Sequence, residues 1–367
     1  MDHSQQMQKL YQKLEQVEVY QRTLGKLQFD LECCAPPMGM AQAGADMAVV
    51  GQQLFALEHE KELEELICRL HQDSAQLAPV EQKLVEHLYD QYRKIKNFTP
   101  EFAYEMDKIS AQAYGDWLAA KKASDFSLYQ PTLEKLIALT RQAIDLRDEK
   151  PASYYDACLD DYEKGGSIAQ LDAFFDALKA RIVPLMRRIA REGKTLRSDF
   201  LTRPCPIPAQ EAFSRQLLKL EGLRDDTLVL MSTEHPFTTN FGPLDVRVTT
   251  HYYEQNFVSN IFSTLHEGGH ALFMQNEPQE LYDLHAANHM SNAMHECISR
   301  FYENLIGRSE AFIQYLYPLL TKLHGGAFAD ISQREFYEGV NIAQPGLLRT
   351  EADEPSYSWC THKAKKN

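Results

Sequence analysis

No run in this chain reaches the roughly 20 apolar residues that a membrane-spanning helix needs. The first residues, Met1-Asp-His-Ser-Gln-Gln, have neither a basic stretch nor an apolar one behind it, so no secretory signal is expected. Positive charge is in short supply: 38 Lys and Arg stand against 52 Asp and Glu, a net charge of −14. That balance argues against nucleic acid as a partner and gives no attraction to an anionic membrane surface. Cysteine is sparse as well. Seven residues without regular spacing do not make a disulfide framework and fit reduced thiols in the cytoplasm. The adjacent Cys33-Cys34 pair lacks the reach of a C-x-x-C redox or metal motif. Internal repeats and low-complexity tracts are absent.

What is present is ordinary globular composition, with 44% hydrophobic and 25% charged residues, enough for a sizeable core. A length of 367 residues allows two or three average domains or one large helical body. Met7, Leu10, Leu14, Val17, Leu24 and Leu27 recur at helical spacing until Pro36, Pro37 and Gly39 interrupt them. A second long helix is expected to about His71. Pro79, Pro100 and Pro131 each stand where a helix can begin, followed by apolar stripes that read as core. Ser167 is placed to cap the helix carrying Leu171, Phe174, Phe175, Leu178 and Ile182. The acidic run Asp156, Asp160, Asp161 and Glu163 lacks the glycine and spacing of a calcium loop and reads as a solvated turn. Residues 227–231 and 246–252 alternate and are β-branched, which predicts a small antiparallel sheet.

One segment carries chemistry, Thr264-Leu-His-Glu-Gly-Gly-His-Ala-Leu-Phe273. His266 and His270 are four apart, hence on one face of a helix, where two neutral imidazoles can share a metal ion. Glu267 points about 100° to the side, suited to taking a proton from a water activated at that ion. The flanking Phe257, Ile261, Leu265, Ala271, Leu272 and Phe273 have the periodicity of a buried helix. Gly268 and Gly269 each cost about 1 kcal/mol against Ala in such a helix, and close approach of another backbone or of substrate accounts for them.

A catalytic zinc ion takes three protein ligands and keeps one position open. Glu296, on the apolar-periodic segment from Met290 to Ile306, is the expected third ligand. Two His and one Glu leave the ion with a net charge near +1, enough to acidify a water toward neutrality. His285, His289 and His295 are the rival ligands.

Four ordered stretches then carry a resemblance. They are residues 231–250 (Met-Ser-Thr-Glu-His-Pro-Phe-Thr-Thr-Asn-Phe-Gly-Pro-Leu-Asp-Val-Arg-Val-Thr-Thr), the His266-Glu-Gly-Gly-His270 helix, residues 294–308 beginning Met-His-Glu-Cys-Ile-Ser-Arg, and residues 344–354 (Gln-Pro-Gly-Leu-Leu-Arg-Thr-Glu-Ala-Asp-Glu). Together they resemble the thermostable (Taq-type) metallocarboxypeptidases of peptidase family M32, with similarity from about Leu10 to Tyr357. The resemblance implies a mainly α enzyme with a long substrate groove that releases single residues from peptide C-termini, using Zn2+ or else Co2+ or Mn2+. It implies His266, His270 and Glu296 as ligands and Glu267 as general base and acid. It also places His235 near the active centre, where it would donate to the developing oxyanion, and Arg247 and Arg349 where the substrate's terminal carboxylate lies. Each Arg has a structural alternative: a salt bridge of Arg247 with Asp245, or of Arg349 with Glu351 or Asp353. A homodimer is expected on the same ground.

The chain departs from the family pattern at Cys297 and Ile298, which replace polar neighbours of the third ligand, and after Glu354. Family chains continue through further helices that complete the groove, whereas the Lys-rich residues 358–367 match nothing, as a premature stop or shifted frame would leave them. The expected organisation is an N-terminal helical region over 1–210, a metallopeptidase region over 211–357 and a non-matching tail. The expected architecture is one large helical body with the small sheet beside the His266–His270 helix. Two alternatives stay open: a helical metallo-oligopeptidase that cuts internally, and an inactive truncated homologue that binds metal or a partner.

Overall fold

The computed structural model describes residues 2–323 and 328–343. The described residues gather into two compact units with separate apolar cores, where the sequence suggested one body: 2–154 with 277–289, and 155–276 with 290–323 and 328–343. The expected 210/211 boundary falls inside a helix of the second unit, and the tail 358–367 lies outside the described residues.

The first unit contains α1 (His3–Cys33), α2 (Met40–Glu58), α3 (Lys61–Gln72), α4 (Pro79–Ile95), α5 (Pro100–Ala123) and α6 (Gln130–Asp145). Asp2 starts α1 by accepting the Gln5 N–H at 2.8 Å, while Pro79 and Pro100 open α4 and α5 at positions where a helix N–H has no partner anyway. Met7, Leu10, Leu14 and Val17 form one buried stripe of α1 and meet Leu63, Ile67 and Leu70 of α3 and Leu84 and Val85 of α4. Truncating a fully buried residue such as Leu10 or Leu70 to Ala would cost about 2–5 kcal/mol. The single helix expected up to His71 is in fact two. His59 leaves the helical path, both ring nitrogens engage backbone carbonyls of Phe55 and Ile95, and extended Glu60 starts α3.

The second unit takes α7 (Tyr154–Tyr162), α8 (Ile168–Glu192), α9 (Ile207–Leu220), β1 (Leu228–Ser232), β2 (Thr238–Asn240), β3 (Val246–Thr250) and α10 (Phe257–Asn276). The short α11 (Gln279–Asp283) belongs to the first unit, and α12 (Asn292–Arg300), α13 (Glu310–Leu323) and α14 (Gln333–Val340) return to the second. Ser167 caps α8 as expected. The sheet is mixed rather than antiparallel. Its order is β1-β3-β2: β2 and β3 form an antiparallel hairpin, and β3 enters beside β1 in parallel register, Leu228 opposite Val246 and Ser232 opposite Thr250. Alternation in a sequence reports which face is buried and not strand direction.

Helix α10 is packed on more than one side. Val246 and Val248 of β3 and Leu230 of β1 cluster with its Ala271, while its Phe257, Ile261 and Leu265 enter an aromatic core with Phe200, Phe213, Phe328 and Phe336. Such packing leaves little room for the helix to shift, as a metal site requires.

Candidate metal centre

His266 and His270 project from α10 and Glu296 from α12. Their ligand atoms lie within 4.8 Å of one another, with His266 Nε2 3.7 Å from Glu296 Oε2 and His270 Nε2 3.8 Å from Glu296 Oε1. Atoms bound to one tetrahedral zinc at about 2.0–2.1 Å sit roughly 3.4 Å apart, so each His–Glu296 pair needs a contraction of only a few tenths of an ångström. Gly269 makes this approach possible. A Cβ there would lie 2.9 Å from Ser299 Cα and 3.3 Å from the Ile298 carbonyl, so only glycine lets α12 bring Glu296 so near α10.

The donor chemistry fits a cation. His266 Nδ1 donates to Glu303 Oε2 at 2.9 Å, so in the neutral imidazole the lone pair is on Nε2, facing the Glu296 carboxylate. Three acceptors facing one another repel unless positive charge lies among them. Burial, with the neighbouring His266 and His295, holds the His270 imidazole down to about 3, so it is neutral and available as a ligand. For His266 burial acts downward, but the hydrogen bond it donates to Glu303 and the charges of Glu267, Glu303 and Glu296 outweigh it and raise the value.

Glu267 is buried beside this group. Burial pushes its carboxyl up to about 7, against the lowering effects of His266 and of the hydrogen bond from Thr238. Thr238 Oγ1 is 2.7 Å from Glu267 Oε2 and 3.0 Å from the Glu267 carbonyl, so β2 fixes the orientation of this carboxyl. A base tuned near neutrality and held in one direction can accept a proton and give it back.

Glu303 and Thr238 were not singled out by sequence reasoning. Glu303 lies on a π-helical turn, Phe301–Ile306, that continues α12, and it is also 3.3 Å from Arg300 and 3.9 Å from Arg308. The π turn was the missing signal, because an α-helical period does not reveal which face its residues take. Cys297, one of the family departures, is exposed, and the buried polar partner of the ligand set is Glu303 instead.

Of the rival ligands, His295 packs edge-on to Phe273 and 5.6 Å from His270, outside the converging group. His285 and His289 are engaged within the first unit: His285 Nδ1 is 2.7 Å from Glu18, and His289 stacks on His87 at 3.9 Å. Glu15, Glu18 and His285 also converge, but the Arg22 guanidinium already bridges both carboxylates at 3.2 and 3.1 Å. His235 is exposed in the β1–β2 loop, three residues before Thr238. Arg247 on β3 pairs at two points with Asp245, 2.9 and 3.1 Å, and its guanidinium covers Phe241 at 4.7 Å. Arg349 lies outside the described residues.

Comparison with known proteins decides the family. The model for carboxypeptidase Taq (M32) metallopeptidases matches residues 9–361. The chain belongs to the M32 family. Carboxypeptidase 1 of Bacillus subtilis is 33% identical over 347 residues, spanning 94% of this chain and 68% of that protein. Thermostable carboxypeptidase 1 of Thermus thermophilus is 34% identical over 275 residues, 73% of this chain and 54% of that protein. Among solved structures, an M32 carboxypeptidase from Deinococcus radiodurans superposes with a TM-score of 0.86 at 27% identity, covering 98% of this chain and 71% of that one. Membership of the M32 family brings with it metal-dependent carboxypeptidase chemistry, a divalent ion and peptide substrates. The mainly α architecture agrees, and no described helix is long and apolar enough to cross a membrane.

Proposed function

We propose that this chain is a zinc carboxypeptidase in which His266, His270 and Glu296 hold the ion and Glu267 is the general base and acid. The observation that carries this reading is the convergence of three acceptor groups beside a buried carboxyl. A bound divalent ion supplies Lewis-acid polarisation of the scissile carbonyl and acidifies water. Glu267 takes the proton of the attacking water, keeps it on its carboxyl while the carbonyl carbon is tetrahedral, and delivers it to the leaving amine nitrogen. Thr238 keeps that carboxyl aimed throughout. Two imidazoles and a carboxylate favour Zn2+, with Co2+ and Mn2+ as substitutes.

Arg247 and Arg349 are assigned to the terminal carboxylate of the substrate, since a guanidinium binds it at two points. For Arg247 this means exchanging Asp245, whose carboxylate it holds at two points. His235 is assigned to the oxyanion, and its exposure suits contact with an incoming peptide. The same reading assigns catalysis to residues 211–357 and places a homodimer in the cytoplasm, supported by the family and by cysteines that form no disulfide spacing.

The test uses a peptide offered with a free and with an amidated C-terminus, and the variant Glu267→Gln. The free peptide should lose residues one at a time and the amide should resist, while Glu267→Gln keeps its metal and loses turnover. Equal cleavage of the amide would favour internal cutting, and full activity of Glu267→Gln would end the assignment.

A further inference from the structure

The second glycine-made contact of the site helix lies on its other side. A Cβ at Gly268 would fall 1.8 Å from Glu221 Oε2, 2.6 Å from its Cδ and 2.9 Å from Oε1. The carboxyl of Glu221 thus occupies the place of a side chain at 268. Both of its oxygens are buried and neither has a hydrogen-bond partner. Two local costs meet in one contact: glycine in a helix interior and a polar group buried unsatisfied. A helix chosen for stability alone would carry neither, which points to a functional reason.

The backbone around Glu221 is held firmly. Glu221 is the C-cap of α9, followed by Gly222 at φ +94°, with Leu223 N–H donating to the Leu218 carbonyl and Gly222 N–H to the Lys219 carbonyl, each at 3.1 Å. This pair of bonds closes the helix end and fixes where the Glu221 side chain leaves. Leu218 and Leu223 then pack with Ala271, and Arg224 exchanges hydrogen bonds with Gln275, its N–H to Oε1 at 3.0 Å and its Nη2 to the carbonyl at 2.8 Å. Residues 268, 271 and 275 form one stripe of α10, so the α9–β1 connection grips the helix along two turns. His266 and His270 lie about 160° round the axis from Gly268. A push at the stripe therefore drives the imidazoles toward α12 and Glu296.

We propose that Glu221 is a positioning residue: its carboxyl fills the Gly268 notch and sets the depth at which α10 presents His266, Glu267 and His270 to the ion. Burial raises this carboxyl well above its ordinary range. The inference rests on the metal-site reading proposed above.

Cobalt uptake and its absorption spectrum test it on the full chain, with thermal melting as the measure of folding. Wild type should take up one cobalt ion per chain. Gly268→Ala should weaken cobalt binding at least tenfold and alter the spectrum, and Glu221→Ala added to it should restore both to within about threefold of wild type. Glu221→Gln, which fills the same volume without charge, should keep the wild-type spectrum. Unchanged cobalt binding in Gly268→Ala, as when the carboxyl simply swings out to solvent, overturns the inference and leaves the site reading standing. So does failure of Glu221→Ala to rescue, including the case in which both Gly268 variants fail to fold, or loss of cobalt in Glu221→Gln. Failure of wild type to take up cobalt overturns the site reading and this inference with it.

Discussion

Gly269→Ala offers the sharpest quantitative test of how α12 brings Glu296 to the two imidazoles. The added methyl would stand 2.9 Å from Ser299 Cα, 3.2 Å from Tyr302 Cδ2 and 3.3 Å from the Ile298 carbonyl. Two of those neighbours are backbone and cannot rotate aside. Reaching an ordinary carbon–carbon contact therefore requires α12 to retreat by about 0.5 Å at that turn. Overpacking of this size costs about 1–3 kcal/mol, and Ala in place of Gly returns about 1 kcal/mol of helix propensity. The fold should lose only about 0–2 kcal/mol. The metal should suffer more, because Glu296 sits one turn from Ser299 and ligand distances tolerate only about 0.2 Å. We expect zinc affinity to fall by about 10- to 100-fold, the range seen when support of a ligand is lost. Competition with a chromophoric chelator reads the affinity, and circular dichroism with a thermal melt shows that the helices persist. A folded Gly269→Ala protein with wild-type zinc affinity would refute the claim that this glycine sets the ligand distance.

Further outcomes follow from the same geometry. Glu303→Gln, which weakens the partner of His266 Nδ1, should lower metal affinity about 10- to 100-fold in the same competition, and an unchanged value would remove Glu303 from the site. Thr238→Val should leave metal content intact and reduce kcat rather than raise KM, since it frees the Glu267 carboxyl; steady-state kinetics on a C-terminally free peptide decide this. Glu221 binds its proton more tightly in the folded chain than in the unfolded one, where a carboxyl titrates at about 4.3. Its stabilising effect is therefore complete below that pH and is lost as pH rises through the folded value. Glu221→Gln lacks this loss, so melting curves from pH 4 to 8 should show the variant gaining on wild type toward neutral pH, and parallel curves would contradict it.

The convergence of His266, His270 and Glu296 beside Glu267 was legible because each lies on a helix whose apolar period fixes its face: 266, 267 and 270 on α10 and 296 on α12. Pro79, Pro100 and Ser167 marked helix starts for local reasons, a missing N–H or a side-chain acceptor, and such signals survive in any tertiary setting. Long-range contacts were not legible. The parallel pairing of β1 with β3, the hydrogen bond from Thr238 to Glu267 and the Glu221 notch join residues 18 to 47 positions apart with no periodicity between them. Gly268 and Gly269 announced that something approached the helix closely. The sequence could not say that α9 stood on one side and α12 on the other.

The wide turn at Phe301–Ile306 has a consequence for how the segment tolerates change. One surplus residue is accommodated there, and Glu303 meets His266 from the edge opposite Glu296 because of that extra increment of winding. Excising a single residue after Glu303 would relax the turn to ordinary pitch, and the helix beyond would keep its direction because the wide turn had absorbed the extra residue, while Glu303 itself would be rotated. Glu296 would stay beside both imidazoles while the carboxylate at 303 turned away. A one-residue deletion thus separates grip on the ion from tuning of its histidine, which no side-chain replacement does as cleanly.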